Sequence, residues 1–236
     1  MSVRSHFGVI ASGIQSVFDP SSVSGLKIWL DASDLSTITK DGSDRVSQWN
    51  DKSGGARHLT QATAGDQPLW LSADQNGRDV IDFTSNRFMD DSWSAESVPN
   101  TIFIAAELPQ TGTGGRTNLI SGYSSNAQSV FGDDPENTYK YAAGSAQGGT
   151  KTGIEGTWQD VYALYGGAYD FEINGDSISS ANCGTDDWTG MTVGASSVAS
   201  QFGDMKVGEI VGYNASITGD DKTAILNYLK TKWGIS

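Results

Sequence analysis

Apolar and polar residues alternate in short runs along most of the chain, and Gly, Asn, Asp or Ser breaks the pattern every few residues. "LKIWL" at 26–30 is the first strong run; "RVSQW", "DVIDF", "NTIFIAAEL", "NLISGY", "SVFG", "TYKYAAG", "DVYALY", "YDFEIN", "DSISS", "MTVGAS" and "KVGEIVGY" follow. A period of two sends one set of side chains inward and the other outward. Many such runs between glycine and Asp/Asn turns predict an all-β antiparallel sandwich or jelly roll. Asn174-Gly175 is the sharpest local signal. Both residues suit the φ > 0 positions of a two-residue type I′ turn, which folds "YDFEI" back onto "DSISS".

Only the last segment carries a helical period. Thr218 stands at the cap with Asp221 three places on, Asp220 and Asp221 sit at the positive end, and Lys230, Lys232 and Gly234 close the segment. Ile225, Leu226, Leu229 and Trp233 form one stripe, so a helix over 219–233 should lie on the sandwich with Trp233 in the core, covering an edge or an open end. "FDPSSVSG" punctuates the chain ahead of "LKIWL" and divides it into an N-terminal arm, residues 1–24, and one domain, 25–236. Trp29, Trp49, Trp70 and Trp93 recur at similar spacing in unlike contexts, which is no internal repeat.

Composition agrees with this picture: 29 Gly against 5 Pro, and only 18 % charged residues. The net charge of −13, from 22 Asp and 6 Glu against 15 Lys plus Arg, excludes a phosphate-binding surface, so nucleic acid is not an expected partner. No run approaches the roughly 20 apolar residues of a membrane span, and "FGVIASGI" does not read as a signal peptide. Cys183 stands alone, which excludes a disulfide framework and a zinc site with several thiolates; it reads as a small loop residue. His6 falls in the arm. His58, in "GGARHLT", has no G-x-S-x-G partner and reads as a surface or packing residue.

The segment "GTWQDVYALYGGAYDFEINGDSIS" resembles the central hairpin of laminin G-like domains of the concanavalin A-like lectin and glucanase superfamily. "GLKIWLDASD" with "VSQWNDKSG", and "VGEIVGYNASITGDDKTAILNYLKTKWGI", resemble bacterial and phage versions of that domain. The resemblance implies two antiparallel sheets in a jelly roll. It fixes no activity, because the superfamily contains lectins, adhesion modules, hydrolases and structural proteins.

Asp170 and Glu172 raise the question of catalysis. On one strand face they stand about 7 Å apart, within the span of working glycosidase pairs. Glucanases of this superfamily carry a third acid on their catalytic strand, however, and "YDFEING" supplies two, aligned with the ordinary "LYVNG"-type strand. Acids on the polar face of an amphipathic strand are expected to stay hydrated, so the expectation is no enzyme. Calcium is the ion the Asp-rich loops "DASD", "KDGSD", "GDDPEN" and "GTDDW" could hold, with Asp133 and Asp134 the first candidates. For carbohydrate, which needs aromatic faces beside polar groups, the candidates are Trp70, Trp93, Trp188 and Tyr123.

A chain opening on Met, without export signal or disulfide, yet resembling an extracellular fold, fits a virion. The leading reading is a non-catalytic virion surface component (head decoration, fibre or tail-associated) that docks on other virion proteins through residues 1–24 and binds host or environmental glycans, with homo-oligomer formation left open. A secreted or cell-surface carbohydrate-binding module comes second. A polysaccharide hydrolase using Asp170 and Glu172 comes third.

Overall fold

A computed structural model describes residues 18–108, 116–123, 127–133, 138–152 and 154–236. In chain order the strands are β1 (Leu26–Asp31), β2 (Ile38–Lys40), β3 (Val46–Trp49), β4 (Leu59–Thr60), β5 (Leu69–Gln75), β6 (Arg78–Asp82), β7 (Met89–Glu96), β8 (Asn100–Glu107) and β9 (Thr117–Ser121). β10 (Ser129–Asp133), β11 (Thr138–Ala142), β12 (Ala146–Thr150), β13 (Trp158–Tyr165), β14 (Asp170–Ile173), β15 (Asp176–Ser179), β16 (Trp188–Val193) and β17 (Lys206–Tyr213) follow, and helix α1 (Gly219–Trp233) ends the chain. Among the described residues these strands form two antiparallel sheets, the expected all-β sandwich. One runs β15-β14-β13-β8-β17-β6-β5, with β1 also on β17; the other runs β12-β11-β10-β9-β16-β7-β4-β3-β2.

The first sheet is buried on both faces in its middle. Along β8, Ile102, Ile104 and Ala106 enter the core between the sheets, while Phe103 and Ala105 enter a second core beneath α1. β13 divides in the same way, Val161, Ala163 and Tyr165 against Tyr162 and Leu164. This is why "NTIFIAAEL" and "DVYALY" read as near-continuous apolar runs: a strand with one wet face alternates, and one covered on both sides does not. The helix therefore lies across the outer face of this sheet, against β8 and β13, rather than over an edge or an open end. Ile225, Leu229 and Trp233 are its fully buried residues, each stabilising the contact by about 2 kcal/mol. Thr218 occupies the cap position in extended conformation but makes no side-chain cap bond, whereas Gly234 closes the helix in the left-handed region at φ 65°.

The expected hairpin is present, with Asn174 at φ 52° and Gly175 at φ 78° joining β14 to β15. Packing begins earlier than residue 25. Phe18 lies against the Tyr228 ring, the short 3-10 turn Pro20–Ser22 is capped by Asp19, Val23 is buried, and Tyr213 Oη donates to the Pro20 carbonyl at 3.0 Å. The last seven residues of the expected arm thus belong to the helix-side core, and residues 1–17 lie outside the described residues. At one flank the sheets are joined by backbone bonds: Val46 N–H donates to Pro68 O and Trp70 N–H to Asp44 O, both at 2.8 Å, around an Arg45–Leu69 bridge.

Candidate functional site

The two acids of "YDFEING" face α1. Lys222 in the first turns of the helix reaches both, at 3.2 Å to Asp170 Oδ2 and 2.8 Å to Glu172 Oε1, and its ammonium lies 3.9 Å from the centre of the Tyr162 ring. The pair is part-buried and ion-paired under the helix instead of hydrated. Phe171 and Ile173 point into the core between the sheets. Two further lysines repeat the arrangement: Lys230 lies 3.6 Å from Asp160, and Lys232 lies 2.8 Å from both Asp31 and Glu209. Glu209 is fully buried and also accepts from Trp29 Nε1, Tyr228 Oη and Trp233 Nε1 at 2.7, 2.7 and 2.9 Å. Burial pushes its carboxyl up, against the pull of Lys232. These acids fasten the helix to the sheet.

The Asp-rich loops use their carboxylates locally. Asp31 and Asp34 share Lys52 at 2.9 Å each, Asp44 pairs with Lys40, and Asp41 accepts the Ser43 and Arg45 N–H groups. Among the described residues no three His, Cys, Asp or Glu side chains converge on a metal position. Of the two residues expected to hold calcium, Asp134 lies outside the described residues, as does the side chain of Asp133. His58 has a packing role, its Nδ1 accepting the Asp51 N–H at 3.0 Å. Cys183 is buried in a loop, and burial pushes its thiol up to about 11.

The four expected sugar platforms separate. Trp188 is fully buried, packed edge-on against Trp93 at 5.3 Å, and its ring presents no face to a ligand. Trp93 packs on the core and carries Arg57 over its ring at 5.0 Å; Trp70 packs likewise and carries Lys40 at 4.5 Å. Each of these two rings is thus partly buried and engaged by a cation. Tyr123 alone of the four keeps an exposed ring, at 40 %.

Tyr123 follows β9 on the outer face of the second sheet, the face that α1 does not cover. Register places Gly190 beside it on β16 and Ser92 beyond on β7. A Cβ at Gly190 would fall 2.4 Å from Tyr123 Cβ and 2.4 Å from the Asp91 carbonyl, at φ 152°, so only glycine lets the three segments close up. Two residues along each strand, Thr192 pairs with Ser121 and with Asp90, and Asp90 in turn with Thr60. The result is a ledge two strand spacings wide, roughly 10 Å, closed over its middle, where Gly190, Thr192 and Ser121 are buried, and reached by solvent at its margins, with the Tyr123 ring on one side and Asp90 and exposed Ser92 on the other.

Asp90 stands apart from the other acids. It is half-buried, and its carboxylate makes no hydrogen bond or ion pair among the described residues; burial, with Asp91 adding repulsion, pushes its carboxyl above the usual range. Asp91 points to the opposite side of the strand, where it feels His58 and Arg57. A half-buried acceptor without a donor, an aromatic face and exposed hydroxyls are the elements of a polar, ring-shaped ligand's site. Sequence reading missed Asp90, Ser92, Gly190 and Thr192, because "MDDSWSAE" alternates too weakly to read as a strand and its neighbours lie about 100 residues away.

No protein-family model and no curated protein matches the chain. Solved structures do match in fold. Trypanosoma rangeli sialidase in complex with the inhibitor DANA superimposes with a TM-score of 0.59 at 11 % identity, over 87 % of this chain and 33 % of the sialidase. The binding domain of botulinum neurotoxin serotype D/C gives 0.55 at 11 % identity, over 89 % of this chain and 53 % of that one. A structure of botulinum neurotoxin type C, which depends on interaction with two ganglioside molecules to enter cells, gives 0.53 at 13 % identity, over 87 % and 51 %. The chain thus spans a third to about half of these structures, and what it shares with them is the fold, a β-sandwich.

Proposed function

We propose that this protein is a non-catalytic, lectin-like module of the laminin G-like type, carried on a virion surface, and that the ledge formed by Tyr123, Ser92 and Asp90 binds glycans. The observation that carries the reading is the exposed Tyr123 ring on the same sheet face as Asp90, an acceptor without a hydrogen-bond donor among the described residues, on the side of the sandwich away from the helix. Sugars present C–H faces that stack on rings and hydroxyls that donate to carboxylates. The fold shared with a sialidase and a neurotoxin binding domain supports the same class of ligand. A single shallow ledge gives weak contacts, which display of many copies converts to firm attachment.

Catalysis by Asp170 and Glu172 is disfavoured by Lys222, whose single ammonium is ion-paired with both carboxylates beneath the helix. The test of binding is a glycan array probed with the protein displayed on a multivalent carrier. Tyr123→Ala should abolish every signal while leaving the melting temperature unchanged; an array blank for the native protein rejects the reading. Reducing-end release from a polysaccharide that Glu172→Gln abolishes would establish a hydrolase instead. Virion docking predicts that deleting residues 1–17 removes the protein from purified particles without unfolding it, and normal incorporation of the deletant would reject that part.

A further inference from the structure

The charge around the ledge restricts which glycans it can take. Among the described residues, the only charge that acts on the Asp90 carboxylate is the negative charge of Asp91. Basic side chains on the same face stand far off: Arg116 is stacked over Phe131 of β10, and Lys140 is on β11. Those strands lie three and four places from β7, roughly 14 and 19 Å. Arg57, which acts on Asp91 on the opposite side of the strand, is held by Glu96 and the Trp93 ring. The whole molecule adds a net charge of −13.

A carboxylate or sulfate brought to the ledge would meet a half-desolvated like charge with no cation to offset it, whereas a sugar hydroxyl would supply the donor that Asp90 lacks. Resting on the glycan-binding reading, we infer that the ledge selects uncharged sugars and rejects sialylated or otherwise anionic ones. One hydroxyl of a neutral oligosaccharide donates to Asp90, Ser92 contributes a second polar contact, and the apolar face of a neighbouring sugar unit lies on Tyr123. The ligand class thus differs in charge from the sialic acid held by the Trypanosoma rangeli sialidase.

The test compares albumin conjugates of lactose, maltose and N-acetylglucosamine with conjugates of 3′-sialyllactose and sulfated lactose at equal sugar density, captured by the full-length protein. The neutral set should bind at least about 10-fold more tightly than its anionic counterparts at low salt. Asp90→Asn should weaken the neutral set and narrow the difference, and Asp90→Lys should reverse the preference; both variants should melt no lower than the native protein. Equal or tighter capture of the sialylated conjugate, lost in Tyr123→Ala, keeps the glycan reading and overturns this selectivity. Capture of no conjugate at all overturns both.

Discussion

Asp90 and Glu209 are two carboxylates that burial treats alike and partners treat differently. Glu209 is enclosed by two indole N–H groups, a phenol and an ammonium. Glu209→Gln leaves Lys232 facing Asp31 alone and sets an amide N–H₂ against donors, so it should cost about 3–5 kcal/mol in a urea titration. Asp90 has no such compensation. Its folded-state carboxyl is raised, so the native protein binds the proton more strongly than the unfolded chain, and Asp90 lowers stability progressively as pH rises from the ordinary value of 3.8 through the raised one. Asp90→Asn should therefore stabilise at pH 7, by no more than about 1 kcal/mol, and have no effect below the ordinary value of 3.8. Equal melting of the two proteins at pH 7 and at pH 3 would contradict the assigned environment. A residue that costs stability where it stands is what a binding position leaves in a sequence. Asp31, Asp34 and Glu96 shift the other way, held low against burial by Lys232, Ser36 and Arg57 among their partners. The stability they contribute is complete above the ordinary values near 4 and is lost as pH falls through their lowered ones, so acid destabilisation should begin below about pH 4, and the Asp31→Asn/Asp34→Asn double variant should be less stable at pH 7 and lose less stability between pH 7 and pH 3 than the native protein. Cys183, pushed up to about 11 and buried, should resist a thiol reagent at pH 8 until the protein is unfolded.

At the scale of elements, β17 is the organising strand, hydrogen-bonded to β8, β6 and β1 and flanked by two tryptophans at two glycines. A Cβ at Gly208 would fall 2.7–2.8 Å from the Trp233 ring, and one at Gly212 would fall 2.5 Å from the Trp188 ring. Gly208→Ala should lift the helix and Gly212→Ala should wedge the sheets, each costing about 1–3 kcal/mol; only the first should raise hydrogen exchange selectively in 219–233. The apolar stripe of that helix was legible in the sequence, and so were the Asn174-Gly175 turn and the alternation of β14. Where the helix lands was not. Its address is written in β8 and β13, whose apolar residues fill both faces, and a pattern without alternation does not say what covers the second face. The acids of β14 were misread for the same reason: alternation placed them outward, but the lysine that meets them comes from 50 residues downstream.

For the whole molecule, the all-β class and two-sheet packing follow from the frequency of short extended runs, while the candidate ledge does not, because it is assembled from β7, β16 and the end of β9, three stretches brought together only by register. Three of the four aromatic residues that sequence singled out became packing groups, since an indole in a strand is more readily enclosed than displayed. The structure also has a polarity that bears on how the protein can be mounted. Phe18 rests on the helix, and the carbonyl of Ser236 accepts from Asn174 Nδ2 at the turn between β14 and β15, so both ends of the described chain emerge on the helix side. Tethering through the C-terminus to a sensor chip leaves Tyr123 on the side away from the support, and a linker added there should leave sugar capture unaltered.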